Sequence, residues 1–289
     1  MKNIANIFVI IITTLFFTSC ETDVTNDITL NDATPRLVIN GGLERNTITP
    51  LTSQQIQLTT TASFLTTEDQ PFISNASVTV TNGTNSWVFT HIGNGVYQNS
   101  EITPEIGNTY TITINWNGEI YEGFDTLIEV PQFDDFYFEF EEETLVTDAG
   151  YFVKFDTTDP INIPNFYHYR LFKNDEFVIV PDPGNSEVLI VSDKFFDGRQ
   201  RLGVNPNDEI AFEIGDIAKA QQLSISESYF DFLTELFIQT GNLGNPIIGN
   251  PPPASIRGNL INLSNSNNRA LGYFYTVDIE EDTITITEN

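Results

Sequence analysis

Cys20 is the only cysteine in the chain of 289 residues, and it closes the stretch Leu15-Phe16-Phe17-Thr18-Ser19-Cys20. A thiol is a nucleophile once deprotonated, so one thiol at a defined place is the first candidate for covalent chemistry. The segment before it is built like a signal peptide. Lys2 gives a positive start, the apolar run from Ile7 to Phe17 is too short to cross a bilayer, and Thr18 and Ser19 are the small residues a peptidase needs before its cut. With one cysteine no intramolecular disulfide can form, so stability must come from packing.

The segment resembles a bacterial lipobox. The resemblance implies that the Cys20 thiol accepts a diacylglyceryl group, that residues 1–19 are removed, and that the new amino terminus is acylated in turn. Several acyl chains, each gaining about 0.8 kcal/mol per buried CH2, hold a protein on a membrane where one chain does not. The competing reading is a secreted protein with a stray thiol, or an uncleaved anchor; no second cysteine competes for the lipid. Glu21-Thr22-Asp23 is similar to the acidic signal that accompanies export of such lipoproteins to the outer face of the outer membrane. Residues 20–35 are polar and acidic and read as a tether.

Other chemistry is limited by composition. The 12 basic and 40 acidic residues give a formal charge of −28, and loss of residues 1–19 removes one base, Lys2, and no acid, for −29. Such a field repels phosphate backbones, which argues against nucleic-acid binding. Two histidines, His91 and His168, lie in separate strand-like stretches, and no second thiol joins them in a zinc site. No Gly-x-Ser-x-Gly elbow and no glycine-rich phosphate loop appears. In Phe166-Tyr167-His168-Tyr169-Arg170 a period of two places His168 beside Arg170, as a structural or surface residue. No catalytic residue, cofactor or metal ligand is assigned. The acids Asp134, Asp135, Glu139, Glu141, Glu142 and Glu143 lack the spacing of a calcium loop and read as a solvated strand face.

The elements that must carry these residues are mainly β. Residues 36–130 read as an immunoglobulin-like or transthyretin-like sandwich, with strands at Leu37–Ile39, Ile56–Thr61, Ala76–Thr81, Trp87–His91, Tyr110–Trp116 and Glu119–Leu127. Asn117-Gly118 predicts a type I′ hairpin with Trp116 opposite Glu119 and Ile114 opposite Tyr121. Asn82-Gly83 and Gly93-Asn94-Gly95 mark further reversals. Pro131 marks a boundary, and residues 131–289 form a second β-rich domain with strands at Phe133–Glu143, Tyr151–Phe155, Phe166–Phe172, Glu187–Ser192, Glu209–Ile214, Leu271–Val277 and Asp282–Ile286. One helix is expected near residues 226–239. Ser224-Ile225-Ser226-Glu227 fits a capping box, and Tyr229, Phe232, Leu233, Leu236 and Phe237 recur at helical spacing before Gly241. That stripe packs on its own sheet or receives a ligand or partner. The loop through Pro251-Pro252-Pro253 is stiff.

Several segments together resemble the outer-membrane lipoprotein family known as domain of unknown function 4249. They are the lipobox, Leu37-Val38-Ile39-Asn40-Gly41-Gly42-Leu43, Ala76-Ser77-Val78-Thr79-Val80, Gly95-Val96-Tyr97, Gly107-Asn108-Thr109-Tyr110, Tyr229-Phe230-Asp231-Phe232-Leu233, Pro251 to Asn259, and Ala270-Leu271-Gly272-Tyr273-Phe274. The resemblance implies a sandwich followed by a β-rich domain, no known catalytic residues, and genes often placed beside TonB-dependent transporters. Asp125-Thr126-Leu127, Asp156-Thr157-Thr158 and Asp282-Thr283-Ile284 are similar to bacterial O-glycosylation sequons. The expectation is a non-enzymatic surface lipoprotein, bound to the outer membrane through Cys20, that captures a ligand or serves a TonB-dependent transporter. The alternative is a structural or adhesive surface module.

Overall fold

The Asn117-Gly118 turn closes its hairpin in the computed structural model, which describes residues 34–62, 71–144, 147–178, 190–207, 210–241 and 256–288. Asn117 and Gly118 take φ values of +52° and +80°, and Trp116 faces Glu119 while Ile114 faces Tyr121. Tyr110, Ile112, Ile114 and Tyr121 are fully buried, so the alternation in sequence and the pleat agree on one inward face. The sequence-based strands up to residue 130 appear as β1 (Leu37–Asn46), β2 (Gln54–Thr60), β3 (Ser77–Thr81), β4 (Ser86–Gly93), β6 (Thr109–Trp116) and β7 (Glu119–Thr126), joined by the short β5 (Val96–Asn99).

Beyond Pro131 follow β8 (Phe133–Glu141), β9 (Gly150–Thr158), β10 (Phe166–Lys173), β11 (Glu176–Phe177), β12 (Ile190–Ser192), β13 (Gln200–Val204), β14 (Ile217–Ile225), helix α1 (Glu227–Gly241), β15 (Ile261–Asn262) and β16 (Leu271–Thr285). One long sheet runs β11-β10-β14-β16-β1-β2-β5-β4-β3-β6-β7-β15, with β12 beside β10, and a small sheet runs β13-β9-β8. The long sheet folds over itself. Leu37, Ile39, Ile56 and Leu58 from one layer meet Val78, Val80, Ile112 and Ile114 from the other in a single core. The fold is mainly β and of sandwich type, as expected.

The expected boundary at Pro131 falls inside one compact unit, Pro35–Asn289. Strand β16 pairs in parallel with β1 from Val38↔Leu271 to Asn46↔Ile279, and Leu260, Ala270 and Phe274 complete the sandwich core. The two backbones approach closely where Gly42 lies opposite Tyr275; a Cβ on Gly42 would sit 1.9 Å from the Tyr275 carbonyl oxygen. The sheet therefore continues across residue 131 instead of ending there. On the far side of β16, β14 and β10 carry α1 on one face, through Leu223, Ile225, Leu233 and Val277. Their other face carries the small sheet, through Val153, Leu171 and Ala220.

Three further expectations change. The closing strands at Leu271–Val277 and Asp282–Ile286 are one strand, β16, because the acids between them find buried partners. Asp278 accepts Arg45 Nη1 at 2.7 Å and the Val130 N–H at 3.0 Å, and Glu281 accepts Gln221 Nε2 at 2.6 Å. Among the described residues of the expected strand Glu209–Ile214, only Phe212 makes a β contact, a bridge to Tyr151, before Gly215 turns the chain at φ +97°. The helix is capped by Ser226, not Ser224: the Tyr229 N–H donates to Ser226 Oγ at 3.2 Å, and Ser224 is buried within β14, which runs on to Ile225.

Candidate functional site

Helix α1 forms where Ser226 caps it and where Tyr229, Phe232, Leu233 and Leu236 recur on one face. That face lies over β16, β10 and β12, with β1 across a cleft from it. The Tyr229 ring stacks on Tyr273 at 4.8 Å and Tyr275 at 5.1 Å, and Phe232 lies 5.2 Å from Tyr273. Tyr229 and Leu233 are buried, so half of the stripe packs on its own sheet. The rest lines a groove of about 660 Å³, the size of a small-molecule site. Phe232, Leu236 and Leu271 make its apolar wall; Arg36 and Asn40, just before and within β1, bring polar groups to it.

The groove's floor is fixed by backbone approach and by polar clamps. Gly272 takes φ +81°, and a Cβ there would sit 1.9 Å from the Ile39 carbonyl oxygen, so any larger residue would push β16 away from β1. Asn259 ties the next layer: its Nδ2 donates to the Phe274 and Phe124 carbonyls at 2.7 and 2.8 Å, and its Oδ1 accepts the Phe274 N–H. Behind the tyrosines, Arg170 Nη2 donates to Glu44 Oε1 at 2.9 Å, and the Tyr275 hydroxyl donates to the same oxygen at 3.2 Å. Burial alone would lower the Arg170 pKa, but Glu44 together with the Tyr275 and Tyr229 hydroxyls more than offsets it and the guanidinium stays charged.

Burial and neighbouring charge set the protonation of the groups around this groove. Burial pushes the Tyr229 and Tyr275 hydroxyls well above their ordinary range, so both stay protonated. Asp125, held on the opposite face by the Thr276 N–H at 2.8 Å, is pushed up to about 6 by burial. Burial pushes His168 down to about 3, helped by Arg170 on the same face, so it is neutral. Its Nδ1 and His91 Nε2 are buried without a hydrogen-bond partner. Five strands separate β10, which carries His168, from β4, which carries His91; the fold does not bring the two together.

The remaining sequence-based candidates are dispersed or lie elsewhere. The acids of residues 134–143 do not converge. Asp134 accepts Thr158 Oγ1 and Gln200 Nε2, whereas Glu139 and Glu141 both pair with Lys154. Of the three Asp-Thr segments, Thr157 is buried and donates to the Gln132 carbonyl, Thr126 is half-buried beside Thr109, and Thr283 is exposed. Cys20, the leader, the tether up to residue 33 and Pro251–Pro253 lie outside the described residues. Arg36, Asn40, Tyr273 and Tyr275 were not singled out by sequence as groove residues, because their meeting depends on a parallel pairing of strands more than 230 residues apart in sequence.

The fold and groove define a mainly β protein in which, among the described residues, an amphipathic helix packs on the sheet beside the parallel β1–β16 pair and leaves an aromatic cleft between them. The chain belongs to the family described as Domain of unknown function (DUF4249), whose model matches residues 21–283. No curated protein matches it significantly.

Proposed function

We propose that this protein is a surface-exposed lipoprotein of the outer membrane, anchored through Cys20, that captures a ligand for a TonB-dependent nutrient transporter without chemistry of its own. The observation that carries the reading is the groove between α1 and the β1–β16 pair. Phe232, Leu236 and Leu271 offer apolar surface over the buried Tyr229–Tyr273 stack, and Arg36 and Asn40 offer hydrogen-bond donors. The lipid confines the fold to the membrane plane, where a weak contact with a barrel's outer loops gains from high effective concentration. Crosslinking in intact cells followed by pull-down tests this. Wild type should recover a TonB-dependent transporter. Phe232→Ser, which removes a partly buried groove ring, should reduce nutrient uptake while the protein remains on the membrane, and Cys20→Ala should release it. Recovery of the protein alone, with uptake unchanged on its deletion, would refute the reading.

A second reading, an adhesive or structural surface module, draws on another observation. Ile120, Phe124, Ile261 and Leu263 are exposed along the β7–β15 edge of the sandwich, an apolar face of the kind that marks contact surfaces. Cell adhesion lost in Phe124→Ser but kept in Phe232→Ser would favour it.

A further inference from the structure

Away from the groove, three carboxylates meet where β9, β10 and β12 end. Asp159, Asp193 and Asp197 each place one oxygen so that the three atoms lie within 4.8 Å of one another. Asp159 and Asp193 are only 3% and 5% exposed. Neutral donors hold them in place. The Tyr167 hydroxyl donates to Asp159 Oδ1 at 2.6 Å and the Gly198 N–H to Asp159 Oδ2 at 3.1 Å. The Asn165 N–H donates to Asp193 Oδ2, and the Asn162 N–H to Asp197 Oδ1, each at 2.7 Å. Among the described residues, the ion pairs involve other acids: Asp278, Glu139, Glu141, Glu44 and Asp216. Clustered acids, two of them buried and none paired with a cation, are costly unless something compensates their charge.

Asn165 is the independent observation. It is 2% exposed, and its side-chain carbonyl Oδ1 is buried with no hydrogen-bond partner. It continues the Phe166↔Ser192 register, opposite Asp193, and the Asp193 N–H donates to its backbone carbonyl at 3.0 Å. It also lies two residues before Tyr167. Strand alternation turns both side chains to one face, the face on which the Tyr167 hydroxyl meets Asp159. A buried carbonyl oxygen without a hydrogen-bond partner, on the residue whose backbone is bonded to Asp193, is a donor atom free to ligate a cation.

The geometry points to a calcium site built from Asp159, Asp193, Asp197 and the side-chain oxygen of Asn165. Four oxygens with no nitrogen or sulfur suit a hard cation. Calcium accepts irregular sets of six to eight oxygens completed by water, whereas magnesium demands a near-ideal octahedron. Bound there, the ion ties the loop after β9 to the turn after β12. The site is independent of the groove and of the proposed function, and it is not the acidic ribbon of residues 134–143.

The mature chain from Cys20, stripped with a chelator, provides the test. Calcium chloride should produce saturable heat in calorimetry and raise the melting midpoint by about 5–10 °C when free calcium exceeds Kd a hundredfold. Terbium should bind in its place and luminesce on excitation of tyrosine, since the Tyr167 hydroxyl touches a ligand. Asp197 is exposed, so Asp197→Asn should fold with a calcium-free midpoint at or above that of wild type, since it relieves repulsion in the cluster, yet lose the calcium shift and the terbium signal. Asn165→Ala should weaken both about tenfold or more. Absence of heat and midpoint shift in wild type overturns the assignment; so does an Asp197→Asn variant that still gains the full shift, which would place the ion elsewhere on the acidic surface.

Discussion

Replacing Phe274 with alanine asks whether the chain has one core or two. Phe274 is fully buried, its N–H is held by Asn259 Oδ1 at 3.0 Å, and it packs among Leu37, Ile39 and Leu58 although it follows them by more than 200 residues. Truncating a buried phenylalanine costs about 3–5 kcal/mol through lost transfer energy and an incompletely collapsed cavity. In a unit of this length each kcal/mol moves the midpoint by about 2–4 °C, so melting should fall by roughly 6–20 °C. The chain has only two tryptophans, and both Trp87 and Trp116 pack against that core. Tryptophan fluorescence therefore reports the region before Pro131 alone, and it should register the full decrease, coincident with far-ultraviolet circular dichroism. Phe140, 51% exposed, is the control: Phe140→Ala should change stability by no more than about 0.5 kcal/mol. A fluorescence midpoint unmoved in Phe274→Ala, with only the dichroism signal shifted, would refute a shared core.

Two other outcomes follow from the same structure. A fragment of residues 36–130 leaves β1 without its β16 partner and its core without Leu260, Ala270 and Phe274; it should show no cooperative melt and poorly dispersed amide signals, and a sharp melt would contradict this. Asp125 has a folded-state pKa of about 6 against an ordinary 3.8. The stability this raised pKa contributes is fully present below about pH 4 and is lost as pH rises through 6, a change on the order of 3 kcal/mol. Asp125→Asn should gain that much relative to wild type between pH 4 and pH 8 in denaturant titrations, and parallel pH curves would refute the account.

Much of the chain was legible from local signals. Asn117-Gly118 specifies a turn whose positive φ values few other pairs tolerate, and two-residue alternation then fixes which faces of β6 and β7 are buried. The stripe Tyr229, Phe232, Leu233, Leu236 likewise specifies a helix and its buried side. The proposed lipid attachment at Cys20 rests on a leader pattern that is wholly local. Each of these depends on neighbours within about ten residues, so no tertiary knowledge is needed.

Strand β14 shows where local reading stops. Ala218-Lys219-Ala220-Gln221-Gln222-Leu223-Ser224 has no alternation because both faces are buried, and its glutamines look like surface residues until Gln221 meets Glu281 and Gln222 meets the Pro131 carbonyl. Asp278, Glu280 and Glu281 break the sequence pattern of β16 for the same reason: the Arg45 side chain, the Val130 and Phe133 N–H groups and the Gln221 amide donate to their carboxylates from distant segments. The groove and the Asp159–Asp193–Asp197 cluster are assembled in the same way. A residue's type and its near neighbours set its backbone preferences. Whether a charge can be buried, and which side chains share a cleft, depends on partners that only the parallel closure of β16 onto β1 brings within bonding distance.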